Sequence, residues 1–158
     1  MKKGEIYEGI IEKVDFPNKG YVCIDDQKVL IKNGIPGQKV RFMIQKKRSG
    51  RAQGRILEVL EKSPFETRDA VCKNFPACGG CMYQTMSYEN QLVMKETQIR
   101  ELLEEALVRG GQVDKNGQAD FDWEGIHGSP IEFGYRNKME FSFGDEYKDG
   151  PLSLGLHK

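Results

Sequence analysis

The sequence predicts a β-rich α+β protein: a small β-barrel, then a cysteine-bearing loop, one long helix, and an incomplete mixed or antiparallel β domain. Three observations lead there. Residues 1–61 break into short runs of period-two alternation separated by turn residues. Residues 88–109 carry apolar positions at helical spacing, and residues 123–158 return to strand-like runs around a turn rich in Asp, Lys and Gly.

The first run, EIYEGIIEKVDF, places Ile6, Ile10 and Val14 on one parity and Tyr7 and Ile11 on the other. A break at Pro17–Gly20 leads into GYVCID, then QKVLIKN, the turn NGIPGQ, the alternation Val40, Phe42, Ile44 in KVRFMIQKK, and finally GRILEVLEK after Ser49–Gly50. Five evenly spaced short strands fit a closed barrel of the OB type, in which closure leaves few strand edges unpaired. Ser63-Pro64 marks a boundary, because a residue before proline is pushed out of helical geometry. The predicted units are therefore a barrel at 1–61, a cysteine loop at 62–86, and a helix with the start of a β domain at 87–158.

The helix is expected from Tyr88 to Arg109, with Ser87 as N-cap and Gly110-Gly111 as the stop. Leu92, Ile99, Leu102, Leu103, Ala106 and Leu107 form its apolar stripe, read as a packing face. After a polar stretch come WEGIHG, YRNKMEFSFG and LSLGLHK, the last two bracketing the turn DEYKDG as a hairpin. The run that stops at Lys158 in mid-pattern reads as a truncation.

Zero net charge conceals an asymmetry: residues 1–61 hold thirteen Lys and Arg against eight Asp and Glu, and residues 62–158 hold eleven against sixteen. The two halves therefore suit different partners. With 38% hydrophobic and 30% charged residues, no long apolar run and no secretory h-region, the composition points to a cytoplasmic protein with no membrane partner, expected as a monomer. No acidic residue occurs from Lys39 to Leu57, where Lys39, Arg41, Lys46, Lys47, Arg48, Arg51 and Arg55 crowd one turn and its flanking strands. Such a patch neutralises phosphates, so Lys46, Lys47, Arg48, Arg51 and Arg55 are candidate RNA contacts. The competing reading is a solvated edge hairpin whose lysines discourage sheet-edge pairing. Few aromatics accompany the patch, which implies contact with the nucleic-acid backbone without base reading.

Three of the four cysteines, Cys72, Cys78 and Cys81, are spaced C-x5-C-x2-C around Gly79-Gly80. A [4Fe-4S] cluster, a structural zinc and a redox CxxC compete for this pattern; the first two need a fourth ligand, and the third needs a βαβ setting that is missing here. Cys23 lies in a barrel strand, and His127 and His157 lie in strand-like runs, so all three are read as incidental to the metal.

The string C-x5-CGGC-x2-Q over Cys72–Gln84, the helix start Tyr88-x2-Gln91-x3-Lys95, YRNKMEFSF at 135–143 and LGLHK at 154–158 together resemble the S-adenosylmethionine-dependent RNA 5-methyluridine methyltransferases of the ribosomal type. Members of that family carry an N-terminal TRAM domain and an iron-sulfur cluster, and NGIPGQKV at 33–40 resembles the G-x-x-PG-x-x-V turn of TRAM domains. The resemblance implies a [4Fe-4S] cluster on Cys72, Cys78 and Cys81, its fourth cysteine beyond Lys158. It implies S-adenosylmethionine and the catalytic cysteine in a C-terminal domain outside the sequence, leaving no catalytic residue here. It also implies RNA contacts from Arg136 and Lys138. The family's enzyme attacks uridine C6 with a cysteine, methylates C5, and releases the product once a base removes the C5 proton. Two alternatives from other classes are a stand-alone RNA-binding module with a structural metal knuckle, and a radical S-adenosylmethionine enzyme, whose usual C-x3-C-x2-C spacing differs.

Overall fold

The computed structural model describes residues 1–158 apart from Ser49, Glu146, His157 and Lys158. Six strands make one curled sheet: β1 (Ile6–Ile10), β2 (Lys13–Asp15), β3 (Lys19–Ile24), β4 (Gln27–Lys32), β5 (Lys39–Arg48) and β6 (Arg51–Glu61). Their order is β1-β5-β6-β4-β3-β2, with β4 and β6 parallel and the other pairs antiparallel. The first and last strands of that order are consecutive in the chain. β1 and β2 are two arms of one strand bent at Ile11-Glu12, and the bend ties the sheet's two edges together covalently.

The bend corrects the single first strand that alternation alone predicts. Ile6 and Ile10 point out, each 56% exposed, whereas Ile11 and Val14 are buried, so the inward parity changes at the bend. The core is Ile11, Val14, Val22, Val29, Ile31, Val40, Phe42, Ile44 and Ala52, one or a few inward residues from each strand past the bend. Each of the Val, Ile and Phe side chains among them contributes about 1.5–3 kcal/mol on burial. Gly54 sits where the interior is tightest, since a Cβ there would lie 2.7 Å from both Ile31 Cδ1 and Phe42 Cδ2.

A smaller apolar cluster joins the barrel to the cysteine loop and the helix. Ile35, from the turn between β4 and β5, packs with Tyr83 and Met86 and against Met94 of helix α1 (Tyr88–Arg109). Polar contacts reinforce the seam. The Glu66 carboxylate accepts from Gln38 Nε2 (2.9 Å), Ser63 N–H (2.8 Å) and Thr85 Oγ1 (2.8 Å). Ser63, at the expected boundary, is buried and donates its hydroxyl to the Pro36 carbonyl. Gly37 in the same turn has φ +86 and runs close to Pro64, which only glycine accommodates without strain.

Helix α1 has the predicted ends. The Ser87 hydroxyl accepts from Asn90 N–H (3.2 Å), and Gly110 N–H closes on the Ala106 carbonyl (2.9 Å). Beyond Met94, its contacts with the barrel are polar: buried Gln98 donates Nε2 to the Val14 carbonyl (2.7 Å), and Glu101 pairs with Lys13 (2.7 Å). The apolar stripe is only partly the packing face expected of it: Leu92, Ile99 and Leu107 are half-buried, Leu102, Leu103 and Ala106 are exposed, and Gln98 is the residue of the helix that is buried.

Beyond the helix, regular structure is sparse among the described residues. WEGIHG forms no strand, and YRNKMEFSFG and LSLGLHK contribute only β7 (Ser142–Gly144) and β8 (Ser153–Gly155). These two pair antiparallel, Phe143 opposite Leu154, as the hairpin pattern predicts. The rest of those runs lacks neighbouring strands within the described residues, and a period-two pattern cannot become sheet without partners.

Candidate nucleic-acid interface and cysteine loop

Cations of the barrel fall into two groups. Lys39 pairs with Glu61 (2.9 Å), Arg41 with Glu8 (2.8 Å) and Glu58 (2.7 Å), and Lys13 with Asp15 and Glu101. Hydrogen bonding to Glu61 and to Glu8 raises the pKa of Lys39 and of Arg41 respectively, holding both charged and neutralised locally. Lys46, Arg48, Arg51 and Arg55, by contrast, make no ion pair among the described residues and are exposed. Lys47 stands opposite buried Ala52, on the other parity from Lys46 and Arg48, and donates to the Met1 carbonyl (3.1 Å).

The predicted basic stretch is half of a larger surface. On β3 and β4, outward Lys19 faces Lys32, Tyr21 faces Leu30, and Cys23 faces Lys28. β4 then lies along β6 with Val29 beside Ala52 and Leu30 beside Gln53, which sets Lys28 next to Arg51. Lys19, Lys28 and Lys32 also lack carboxylate partners among the described residues. They escape a reading of the basic stretch at Lys39–Arg55 because they are spread singly along the chain, Lys19 between Asp15 and Asp25 and Lys28 and Lys32 just after Asp26. Their signal is the parity: in both KGYVCI and QKVLIK the lysines alternate with the buried valines and Ile31.

Arg136 and Lys138 lie in an exposed segment without regular structure. Lys138 pairs with Glu140 (2.8 Å), and both line a shallow depression with Arg136, Met139 and Leu156. Among the described residues no hydrogen bond or ion pair joins them to the strand-borne cations.

The cysteine loop is anchored at its base. Buried Gln84 accepts the Cys72 N–H on Oε1 (3.0 Å), and its carbonyl accepts from Arg68 Nε (3.0 Å). Arg68 also pairs with Glu132 (2.7 Å), fastening the loop to the segment ahead of Arg136. Inside the loop Phe75 N–H donates to the Cys72 carbonyl (3.0 Å), Cys78 N–H to the Asn74 carbonyl (2.9 Å) and Gly80 N–H to Cys78 Sγ (3.4 Å). A Cβ at Gly80 would meet Cys78 Sγ at 3.4 Å and Leu156 Cδ1 at 3.6 Å, so steric crowding does not demand glycine there. All four cysteines are free thiols, with Cys72 and Cys81 exposed and Cys78 half-buried. Cys23, on the outer face of β3, belongs to the barrel, and His127 is exposed; His157 lies outside the described residues.

In kind, the donors suit a thiolate-bound cluster or zinc: three sulfurs on one short loop, one already accepting a backbone N–H, as metal-bound thiolates do. Among the described residues no three Cys, His, Asp or Glu side chains converge as a ready metal site. Loading would therefore draw the loop in around the metal.

Among the described residues no helix is long and apolar enough to cross a membrane. No known family profile matches the chain. Along its whole length, however, it is similar to proteins named uncharacterized RNA methyltransferases: 45% identical over 157 residues to one from Clostridium tetani, covering 99% of this chain and 32% of that protein. A second, from Caldanaerobacter subterraneus, is 43% identical over 158 residues, again with 32% of its length covered. One from Bacillus cereus is 28% identical over all 158 residues. The chain thus spans about a third of the length of these curated relatives.

Proposed function

We propose, from this chain-long similarity to proteins named RNA methyltransferases, that the chain is the N-terminal, RNA-gripping portion of an S-adenosylmethionine-dependent RNA uridine C5 methyltransferase acting on ribosomal RNA. The observation that carries the reading is that the similarity covers 99–100% of this chain at up to 45% identity. The chemistry belongs to the part of the relatives' length that this chain does not span. A TRAM-type barrel agrees with the bent strand that closes the sheet and with the glycine-requiring turn at Gly37.

The role of these residues is to hold substrate. A uridine inside folded RNA must leave its stack before C5 and C6 become reachable, which costs a few kcal/mol and requires a grip on the flanking nucleotides. Unpaired barrel cations supply that grip through phosphate contacts, and Arg136 adds one from the segment tied to the cysteine loop. Cys72, Cys78 and Cys81 would hold three corners of a [4Fe-4S] cluster, with a fourth ligand from outside this chain. When bound, the cluster would tie the segments together through its iron–sulfur bonds, since methyl transfer of this type is redox-neutral and needs no electron donor. Contact between Leu156 and the position of Gly80 supports such a tie, because it sets the end of β8 against the loop.

Disruption of the encoding gene is expected to remove one 5-methyluridine from ribosomal RNA, read by nucleoside mass spectrometry. An unchanged level overturns the enzymatic reading and favours a stand-alone RNA-binding module. Anaerobically purified full-length protein is expected to hold iron and sulfide with visible absorption. Zinc in their place would make the loop a structural knuckle.

A further inference from the structure

The outer face of the barrel carries, beyond a general attraction for phosphate, the parts of a site for an unpaired base. We propose that single-stranded RNA lies across β5, β6, β4 and β3, with one base stacked on Tyr21 and its flanking phosphates on Lys19, Lys28 and Lys32. The proposal rests on the RNA-binding reading above and names the form of RNA the barrel takes.

Register places these groups in rows across the sheet. One row runs Tyr21, Leu30, Gln53, Lys46, each paired with the next strand's residue. The row on one side runs Cys23, Lys28, Arg51, Arg48, and Lys19 and Lys32 lie opposite each other on the other side. Neighbouring strands are about 4.8 Å apart, well inside the roughly 8 Å over which physiological salt screens charge. Two directly opposed like-charged pairs, Lys19 with Lys32 and Arg48 with Arg51, are each unfavourable in the free protein. A bound polyanion reverses that term, whereas an uncharged or cationic partner would not. On β3 through β6 these rows contain no acidic residue until Glu58.

Tyr21 distinguishes this face from a plain phosphate patch. Its ring is half-exposed, and the Lys28 ammonium stands 5.6 Å from its centre. The ammonium lies over the ring, so a base that stacks there displaces it and leaves Lys28 free to meet the base's own phosphate, and only an unpaired base offers a π face for this. Tyr21 also borders a cavity of about 170 Å³ between the barrel and α1, whose walls include Phe16, Lys19, Leu102 and Glu105. Asp15 and Glu101 in that cavity are held by Lys13, and Glu105, which makes no ion pair among the described residues, repels phosphate from its interior. The base edge can enter there while the backbone crosses the outer face, one flanking phosphate at Lys28 and the other at Lys19 and Lys32. Asp25 and Asp26 lie in the turn beyond Lys28 and bound the site at that end.

The test uses the full chain and a short fluorescein-labelled oligouridylate, read by fluorescence anisotropy across a salt series, with a duplex RNA as the comparison. The wild type is expected to bind the single strand more tightly than the duplex. Tyr21→Ala is expected to weaken single-strand binding on the order of tenfold with little change in salt slope, and Tyr21→Phe to restore it. Replacing Lys19, Lys28 and Lys32 by Ala is expected to lower the slope of log K against log salt by about 2. Matching thermal melts for Tyr21→Ala and Tyr21→Phe establish that the fold is intact. Equal affinity for duplex, or full affinity in Tyr21→Ala, overturns the proposal while leaving the RNA reading standing. No binding of either RNA by the wild type overturns both.

Discussion

Tyr83 lies two residues after the last loop cysteine and is buried between Ile35 and Met86, yet its hydroxyl has no hydrogen-bond partner among the described residues. Burial raises its pKa to about 12, so the phenol stays neutral at ordinary pH and leaves an unpaired donor inside an apolar cluster. A buried unsatisfied polar group costs about 1–3 kcal/mol, and removing it while keeping the ring recovers part of that. Tyr83→Phe is therefore expected to leave stability unchanged or raise it by about 1 kcal/mol in urea unfolding. A loss of that size instead would mean that the hydroxyl has a partner in solution. Nothing in the string CMYQ distinguishes this tyrosine from a surface one. Its burial depends on Ile35, nearly fifty residues earlier, reaching the same place.

Among the elements, the helix and the last hairpin show how far patterning reaches. Ser87, the period of the apolar residues and Gly110 are local signals, and α1 begins and ends where they say. Which face it buries is not local. The barrel meets it through Met94, Gln98 and Glu101, and the aliphatic stripe is at best half-buried. β7 and β8 behave alike, since their turn and register accord with the sequence pattern while Phe143 and Leu154, 74% and 60% exposed, cover nothing. Burial that does not occur cannot stabilise. Phe143→Ser with Leu154→Ser is expected to change the unfolding free energy of this chain by less than about 0.5 kcal/mol while reducing binding of a hydrophobic dye. A large loss of stability would show that the hairpin is packed.

For the molecule as a whole, charge sorting is the organising feature. One set of cations is neutralised by neighbouring carboxylates, and the other, without ion pairs among the described residues, spreads over β3 to β6. Removing Arg41, already held by Glu8 and Glu58, is expected to leave single-stranded RNA affinity within about twofold, since its charge is already balanced. Replacing Arg48 and Arg51 by Ala is expected to weaken binding and lower the salt slope by about 1.4, because two phosphates no longer neutralised count about 0.7 each. Equal losses from the two variants, measured by anisotropy at several salt concentrations, would mean that net charge alone governs binding.

Features that depend on neighbours along the chain are legible in the sequence: barrel strands from alternation, helix ends from caps, the hairpin from its turn, three thiols gathered by spacing, and a basic stretch from Lys39 to Leu57. Features that depend on neighbours across the fold were set by the packing of the chain. Packing split the first strand at Ile11-Glu12, because one strand must serve both edges of a closing sheet and its inward parity must change at the corner. It withdrew Lys39 and Arg41 from the free cations by setting carboxylates beside them. It added Lys19, Lys28, Lys32 and Tyr21, because parallel pairing of β4 with β6 lays two distant segments side by side, and an electrostatic field depends on distance in space.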